Sequence, residues 1–233
     1  MTMFSIDHTP AEIVKTFPKA SDLFKSNRID FCCGGNKPLK ETFQEKSMNG
    51  EELLQKLNTQ YEEWKEKGQS GQNWEEATYS DLVDEIVQTH HAYLKEELPA
   101  LGQFVTKVFR VHGEHHPHLK ELYQLYHSLK IELELHLDKE EKDVFPIIKE
   151  YEQNPTVELK ERILKLNATL EEEHQDAGDI LKRMRDICTD FNPPADACNS
   201  YRITYMRLAE LEDDMFQHIH KENNILFPRL ATA

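Results

Sequence analysis

The chain has 233 residues, of which 30% are charged and 9% aromatic, with only 8 glycines and 10 prolines. That length suits one large domain, or a bundle of about 150 residues with a small partner. Its 28 basic residues face 43 acidic ones, a net charge of −15, which argues against binding nucleic acid or an anionic membrane because their phosphates would be repelled.

Leu, Glu and Lys predominate and favour helix, so an all-α fold is expected. The stretch from Met1 to Pro10 has neither a basic start nor an apolar run. No segment reads as a membrane span, and a cytoplasmic protein is expected. Residues 1–64 read as a small helical domain: short helical stretches broken by Pro18, the Cys32–Gly35 turn and Pro38, then a helix over 51–64. Residues 65–78 read as a linker, because the run from Lys67 to Asn73 is polar, contains glycine and has no period.

Residues 79–233 read as an up-down four-helix bundle. Ser80 suits an N-cap, with Asp81 and Asp84 in the first turn. The first helix runs to about His112 and is broken by Gly113 and Pro117. The second spans about 117–149. The third begins at Pro155, a favourable first helical residue, and ends near Cys188. Pro193 and Pro194 lie in the next connection, and the fourth helix reaches Phe227 and Pro228, with part of 194–200 outside it.

Each helix carries an apolar stripe of bundle period. The first reads Val83, Val87, His91, Leu94, Leu98; the second Leu129, Leu133, His136, Glu140, Val144. The third reads Leu166, Leu170, His174, Ala177, Leu181; the fourth Leu211, Met215, His218, Glu222, Leu226. Ionisable groups on a buried stripe are costly unless paired or bound to metal. All four stripes make that substitution; counted from the helix ends, His91 and His136 stand at similar depths, whereas His174 and His218 match less well.

Two segments nearly repeat: His136-Leu-Asp-Lys-Glu140 before Phe145-Pro146, and His218-Ile-His-Lys-Glu222 before Phe227-Pro228. Residues i and i+4 share a helix face, so each His and Glu can aim at one site. The interval from His91 to His136 nearly equals that from His174 to His218. Each half is therefore a hairpin with one His on its first helix and His-x-x-x-Glu on its second. Four imidazoles and two carboxylates suit divalent iron, manganese or zinc. With both Glu bridging two ions, the protein fills roughly eight of about twelve octahedral positions and leaves the rest for an oxo bridge and a small ligand. The ferritin-like pattern, with two Glu-x-x-His motifs and two further Glu, does not fit; Glu171-x-x-His174 is the one such match near a stripe.

His90 fits the first stripe as well as His91 does. His112 stands about 31 Å farther along a straight helix at about 1.5 Å per residue. With His115, His116 and His118 it reads as a solvated loop, or more sharply as a weak metal-loading site. His8, His127 and His220 carry no pattern, and the Glu171–Glu173 run reads as a solvated face. Cys32 and Cys33 are adjacent, and adjacent cysteines bridge only with strain, so free thiols are expected for them and for Cys188 and Cys198. In Asp30-Phe-Cys-Cys-Gly-Gly35 two thiols at a flexible turn suit a soft metal or thiol exchange; a buried small apolar pair is the structural reading.

The Asp-Phe-Cys-Cys-Gly-Gly element at 30–35, His-x-x-x-Glu-Glu at 136–141 and His-x-x-x-Glu-Asn-Asn-x-Leu-Phe-Pro at 218–228 together resemble the repair-of-iron-centres proteins, hemerythrin-like di-iron proteins of bacteria. The resemblance spans nearly the whole chain. It implies iron ligands at His91, His136, His174 and His218, with Glu140 and Glu222 as bridges between two non-haem irons, also oxo-bridged. It selects His91 over His90, because the family's His lies eight residues before a Leu-Pro proline, here Pro99. The four-plus-two set departs from the five His of oxygen-carrying hemerythrins. The implied role is repair of iron–sulfur clusters damaged by nitrosative or oxidative stress, with damaged iron–sulfur proteins as partners. Cys32 and Cys33 would serve thiol chemistry or iron transfer. An enzyme reducing nitric oxide or peroxide, and an oxygen or nitric oxide sensor, are the competing functions. A homodimer is compatible with the sequence.

Overall fold

The computed structural model describes residues 4–67 and 74–233; residues 68–73, the middle of the expected linker, lie outside the described residues. Every regular element among the described residues is helical. The chain divides into two compact units: Met1–Ala77 with Ile219–Arg229, and Thr78–His218 with Leu230–Ala233. The division passes through the last helix.

In the first unit, α1 (Pro10–Thr16) starts at a capping box: Thr9 accepts from the Glu12 amide, and the Glu12 side chain accepts from the Thr9 amide. Pro10 at the first turn gives up no helical hydrogen bond there. Then follow α2 (Ala20–Ser26), α3 (Leu39–Glu45) and α4 (Gly50–Glu66). Ile13, Phe17, Phe24, Leu39 and Leu57 are buried at the core of these short helices. Buried Asn58 of α4 ties down the start of the described chain, accepting from the Phe4 amide at 2.9 Å and donating to the Phe4 carbonyl at 3.1 Å.

In the second unit, α5 (Tyr79–Ile86) passes through a π-helical turn, Val87–His91, into α6 (Ala92–His112). Helix α7 (His118–Lys139) passes through a second π turn, Glu140–Val144, into α8 (Phe145–Gln153). Helix α9 (Val157–Ile187) is uninterrupted. Helix α10 (Asn199–His220) leads through a third π turn, Lys221–Leu226, into α11 (Phe227–Thr232).

The two Phe-Pro pairs explain two of these turns. Proline has no N–H, and its ring collides with the carbonyl four residues back. For Pro146 that carbonyl is Lys142's, and for Pro228 it is Asn224's; both lie within π turns, whose wider loop removes the conflict. Val87–His91 has no such proline.

Three expectations about helix ends change. Thr78, not Ser80, caps α5, its side chain accepting from the Asp81 amide. Thr156 caps α9, so Pro155 lies outside it, and Val157 is the first helical residue. The second helical segment extends past 149 to Gln153. Cross-helix ion pairs brace the bundle, two of them drawing on α10. Arg207 of α10 grips Glu97 of α6 with two hydrogen bonds, at 2.7 and 2.8 Å, and the Arg185 guanidinium of α9 pairs with fully buried Glu212 of α10.

Candidate metal centre

Four helices bring their polar interruptions to one level. Ligand atoms fall into two groups, within each of which all lie within 4.8 Å of one another: His91, Glu140, His218 and Glu222, and His136, Glu140, His174 and Glu222. All six side chains are buried. Glu140 is fully buried and turns one oxygen to each group: Oε2 is 3.2 Å from His91 Nε2 and Oε1 is 3.3 Å from His136 Nε2. His136 and His174 face each other, Nε2 to Nε2, at 3.0 Å.

The rings are oriented from behind. His91 Nδ1 donates to Glu141 Oε1 at 2.8 Å, and His136 Nδ1 donates to Glu173 Oε2 at 2.8 Å. A carboxylate only accepts, so each Nδ1 carries the proton and each inward Nε2 presents a lone pair. This carboxylate–histidine arrangement is the usual outer support of a metal-ligating imidazole. Burial opposes ionisation of Glu141, but the Lys95 ammonium and His91 hold it below its ordinary range. The His136 hydrogen bond, with Lys139, holds Glu173 down at about 2.

The expectation of a solvated face over Glu171–Glu173 therefore fails at Glu173. In the helix Glu173 precedes His174 on α9, yet it serves His136 of α7, and nothing in its local sequence marks that. His90, left open against His91 by the stripe alone, takes a different place. Its Nδ1 donates to Asp214 Oδ1 at 2.8 Å, and its ring stacks on His218 with centroids 5.4 Å apart and planes 5° off parallel. His91 is the one that joins the groups. A surface cleft of about 370 Å³, lined by Leu133, Leu135, His136, Lys139, Glu173 and His174, opens beside the second group.

The donor chemistry suits the ion. Buried imidazoles and carboxylates with no thiolate fit iron, and the orienting carboxylates leave Nε2 of His91 and of His136 unprotonated. The hemerythrin HHE cation binding domain matches residues 82–230. The chain belongs to the hemerythrin HHE family. The buried His and Glu cluster of this hemerythrin-family chain fits a non-haem iron site. Residues 6–61 match a second domain, ScdA_N, described as of unknown function. Relatives align over nearly the full length of this hemerythrin-family chain. The iron-sulfur cluster repair protein ScdA of Staphylococcus haemolyticus is 31% identical over 98% of this chain and all of its own. The iron-sulfur cluster repair protein YtfE of Escherichia coli O157:H7 is 32% identical over 96% of each. A probable iron-sulfur cluster repair protein of Haemophilus influenzae is 32% identical over 94% of this chain and 95% of its own.

The first unit holds the Cys-Cys turn of this family member. Asp30 Oδ1 accepts from the amides of Cys32 and Cys33 at 3.0 and 3.1 Å and from the Cys32 thiol at 3.3 Å. A Cβ on Gly35 would lie 2.5 Å from the Phe31 carbonyl oxygen, so the turn closes only on glycine. Cys32 is buried and Cys33 half-buried, both as free thiols. The adjacent Cys33 sulfur at 3.8 Å, burial and the Asp30 carboxylate push the Cys32 thiol well above its usual range. His220, which carried no pattern, is buried and donates from Nδ1 to the Phe31 carbonyl at 3.1 Å. Burial lowers its pKa to about 4. Asn224 donates to the Cys32 carbonyl at 2.8 Å. Their spacing to His218 and Glu222, half a helical turn away, was the available signal: His220 and Asn224 form a second polar row on the opposite face of the same helix.

Proposed function

We propose that this chain repairs iron–sulfur clusters damaged by oxidative or nitrosative stress, and does so by donating iron from a two-iron store. The ligands are His91 and His218 for one ion and His136 and His174 for the other, with Glu140 and Glu222 bridging. The observation that carries the reading is the sharing: two groups, each with its own pair of imidazoles, use the same two carboxylates. Relatives named as iron-sulfur cluster repair proteins, aligned along almost the whole chain, support the repair role.

Two bound irons would supply the cargo, with open positions for a small ligand such as nitric oxide or oxygen. The chain's own residues do the rest. Glu141 and Glu173 hold His91 and His136 in the tautomer that presents Nε2 inward. Burial keeps bulk water from Glu140 and His91. The cleft beside His136 and His174 is the way out for an ion, with the Lys139–Glu173 pair among its lining groups. Cys33, the more accessible thiol of the pair, receives or relays iron, and Cys32 supports it from within. No described helix is long and apolar enough to cross a membrane, and four free thiols suit a reducing compartment, so the cytoplasm is the proposed setting.

The test is incubation of the iron-loaded protein with an enzyme whose cluster has been damaged by nitric oxide. Wild type should carry about two irons, one per ligand group, and restore activity. His174→Ala should lose iron and repair together, and Cys32→Ala/Cys33→Ala should keep its iron and lose repair. Turnover of nitric oxide with no cluster recovery would overturn repair in favour of a nitric-oxide-reducing enzyme.

A further inference from the structure

The histidines around the α6–α7 connection have no part in the repair reading, and three of those expected in a solvated loop make side-chain contacts of their own. His112 Nε2 lies 3.2 Å from Cys198 Sγ, and His116 Nε2 lies 3.2 Å from Asp196 Oδ2. The two imidazole centroids are 6.2 Å apart, and both rings pack on Tyr201, at 5.4 and 5.5 Å. His118 turns inward instead, its Nε2 2.8 Å from the Tyr205 hydroxyl.

Local structure places these two pairs side by side on Tyr201. The His116 amide donates to the His112 carbonyl at 2.9 Å, so one more helical turn follows the end of α6 and sets the two histidines on one side. A Cβ on Gly113 would meet the Phe109 carbonyl oxygen at 2.5 Å, so the turn requires glycine. Opposite, the Ala197 amide donates to the Pro194 carbonyl at 3.0 Å, and Asp196 and Cys198 stand just before the start of α10.

We propose that His112, His116, Asp196 and Cys198 form a second, surface site for a divalent transition-metal ion of the zinc and ferrous class. In a tetrahedral site with metal–N near 2.0–2.1 Å and metal–S near 2.3 Å, ligand atoms lie about 3.4–3.6 Å apart. Both donor pairs already stand close to that. In the structure they stand as two separate pairs, and gathering them around a single ion takes rotation of the Asp196 and Cys198 side chains, which are free to turn: Asp196 is 70% exposed, and Cys198 is exposed. One thiolate, two imidazoles and a carboxylate make a borderline-soft set that selects against magnesium and calcium. At about 1.5 Å per residue along α6, His112 is about 31 Å from His91, so the site is separate from the buried centre. Its exposure makes it an exchanging site rather than a structural one.

The experiment is an anaerobic titration of the full-length, iron-loaded protein with cobalt(II). Wild type should take up one further ion and develop near-ultraviolet thiolate-to-cobalt charge-transfer absorption. Zinc should abolish the band and magnesium should not. Cys198→Ser should remove the band, and His112→Gln and Asp196→Asn should each weaken binding about tenfold or more, at least the loss seen when only an outer-shell partner of a metal is removed. Cys32→Ser/Cys33→Ser should keep the band. Absence of the band in wild type, or its survival in Cys198→Ser, overturns the site. Iron content of the buried centre is read independently, so either result leaves the repair reading where it stands.

Discussion

Glu173 shows how one residue's role depends on a neighbour far away in sequence. Its hydrogen bond orients His136, and Glu141 does the same for His91. Glu173→Gln or Glu141→Gln should weaken metal binding about 10–100-fold, the range for losing such an outer carboxylate. Competition with a chelator measures it, and far-UV circular dichroism should stay unchanged. The thiols offer a second contrast. Cys32 is buried with its thiol pushed up, whereas Cys33 is half-buried. Near neutral pH a small alkylating reagent should therefore label Cys33 well before Cys32, because only the thiolate attacks and only Cys33 is open. Peptide mass mapping over time checks the order; equal rates would mean the Asp30 turn opens readily.

At the scale of the helix, caps and π turns divide the labour. Thr156 starts α9, a helix of 31 residues that carries both His174 and Glu173. Its side chain accepts from the Leu159 amide at 3.2 Å. Thr156→Ala should cost about 1 kcal/mol of stability, within the usual 0.5–2 kcal/mol for a lost cap, and leave metal content intact. Chemical denaturation with metal analysis of the folded protein tests both halves. The π turns sit at the buried cluster: one contains His91, one begins at Glu140, and one contains Glu222. Each adds a residue to a turn and so re-aims the face that follows it. Two of the three are tied to Pro146 and Pro228.

For the whole molecule, the second unit spends buried polar interactions to hold its helices in register. Glu212 is fully buried and Arg185 nearly so. A pair of this kind is weak evidence of net stabilisation, but removing one partner leaves a buried charge behind. Glu212→Ala should therefore destabilise by about 3–5 kcal/mol, the range for breaking a buried pair, with the loss appearing in thermal unfolding of the apo form. Glu212→Ala combined with Arg185→Met should recover most of it. If the single variant unfolds like wild type, the pair does not brace the bundle.

The all-α fold and the six side chains of the buried His and Glu cluster were legible in the sequence for one physical reason. An i, i+4 pair on an amphipathic helix and a polar break in an apolar stripe are local patterns, and the repeated His-x-x-x-Glu with its Phe-Pro tail states them twice. The Asp30–Gly35 turn was legible likewise, since a glycine that admits no Cβ leaves a mark in the chain. Which of His90 and His91 enters the groups was not legible from the stripe, because adjacent residues lie only 100° apart on a helix and a π turn shifts that angle. Glu173, Glu141, His220 and Asn224 acquire their roles from partners on other segments, as do His112 and His116 opposite Asp196 and Cys198. Such pairings are set by how helices pack, and no single helix's periodicity encodes its neighbour; tertiary structure alone decided them.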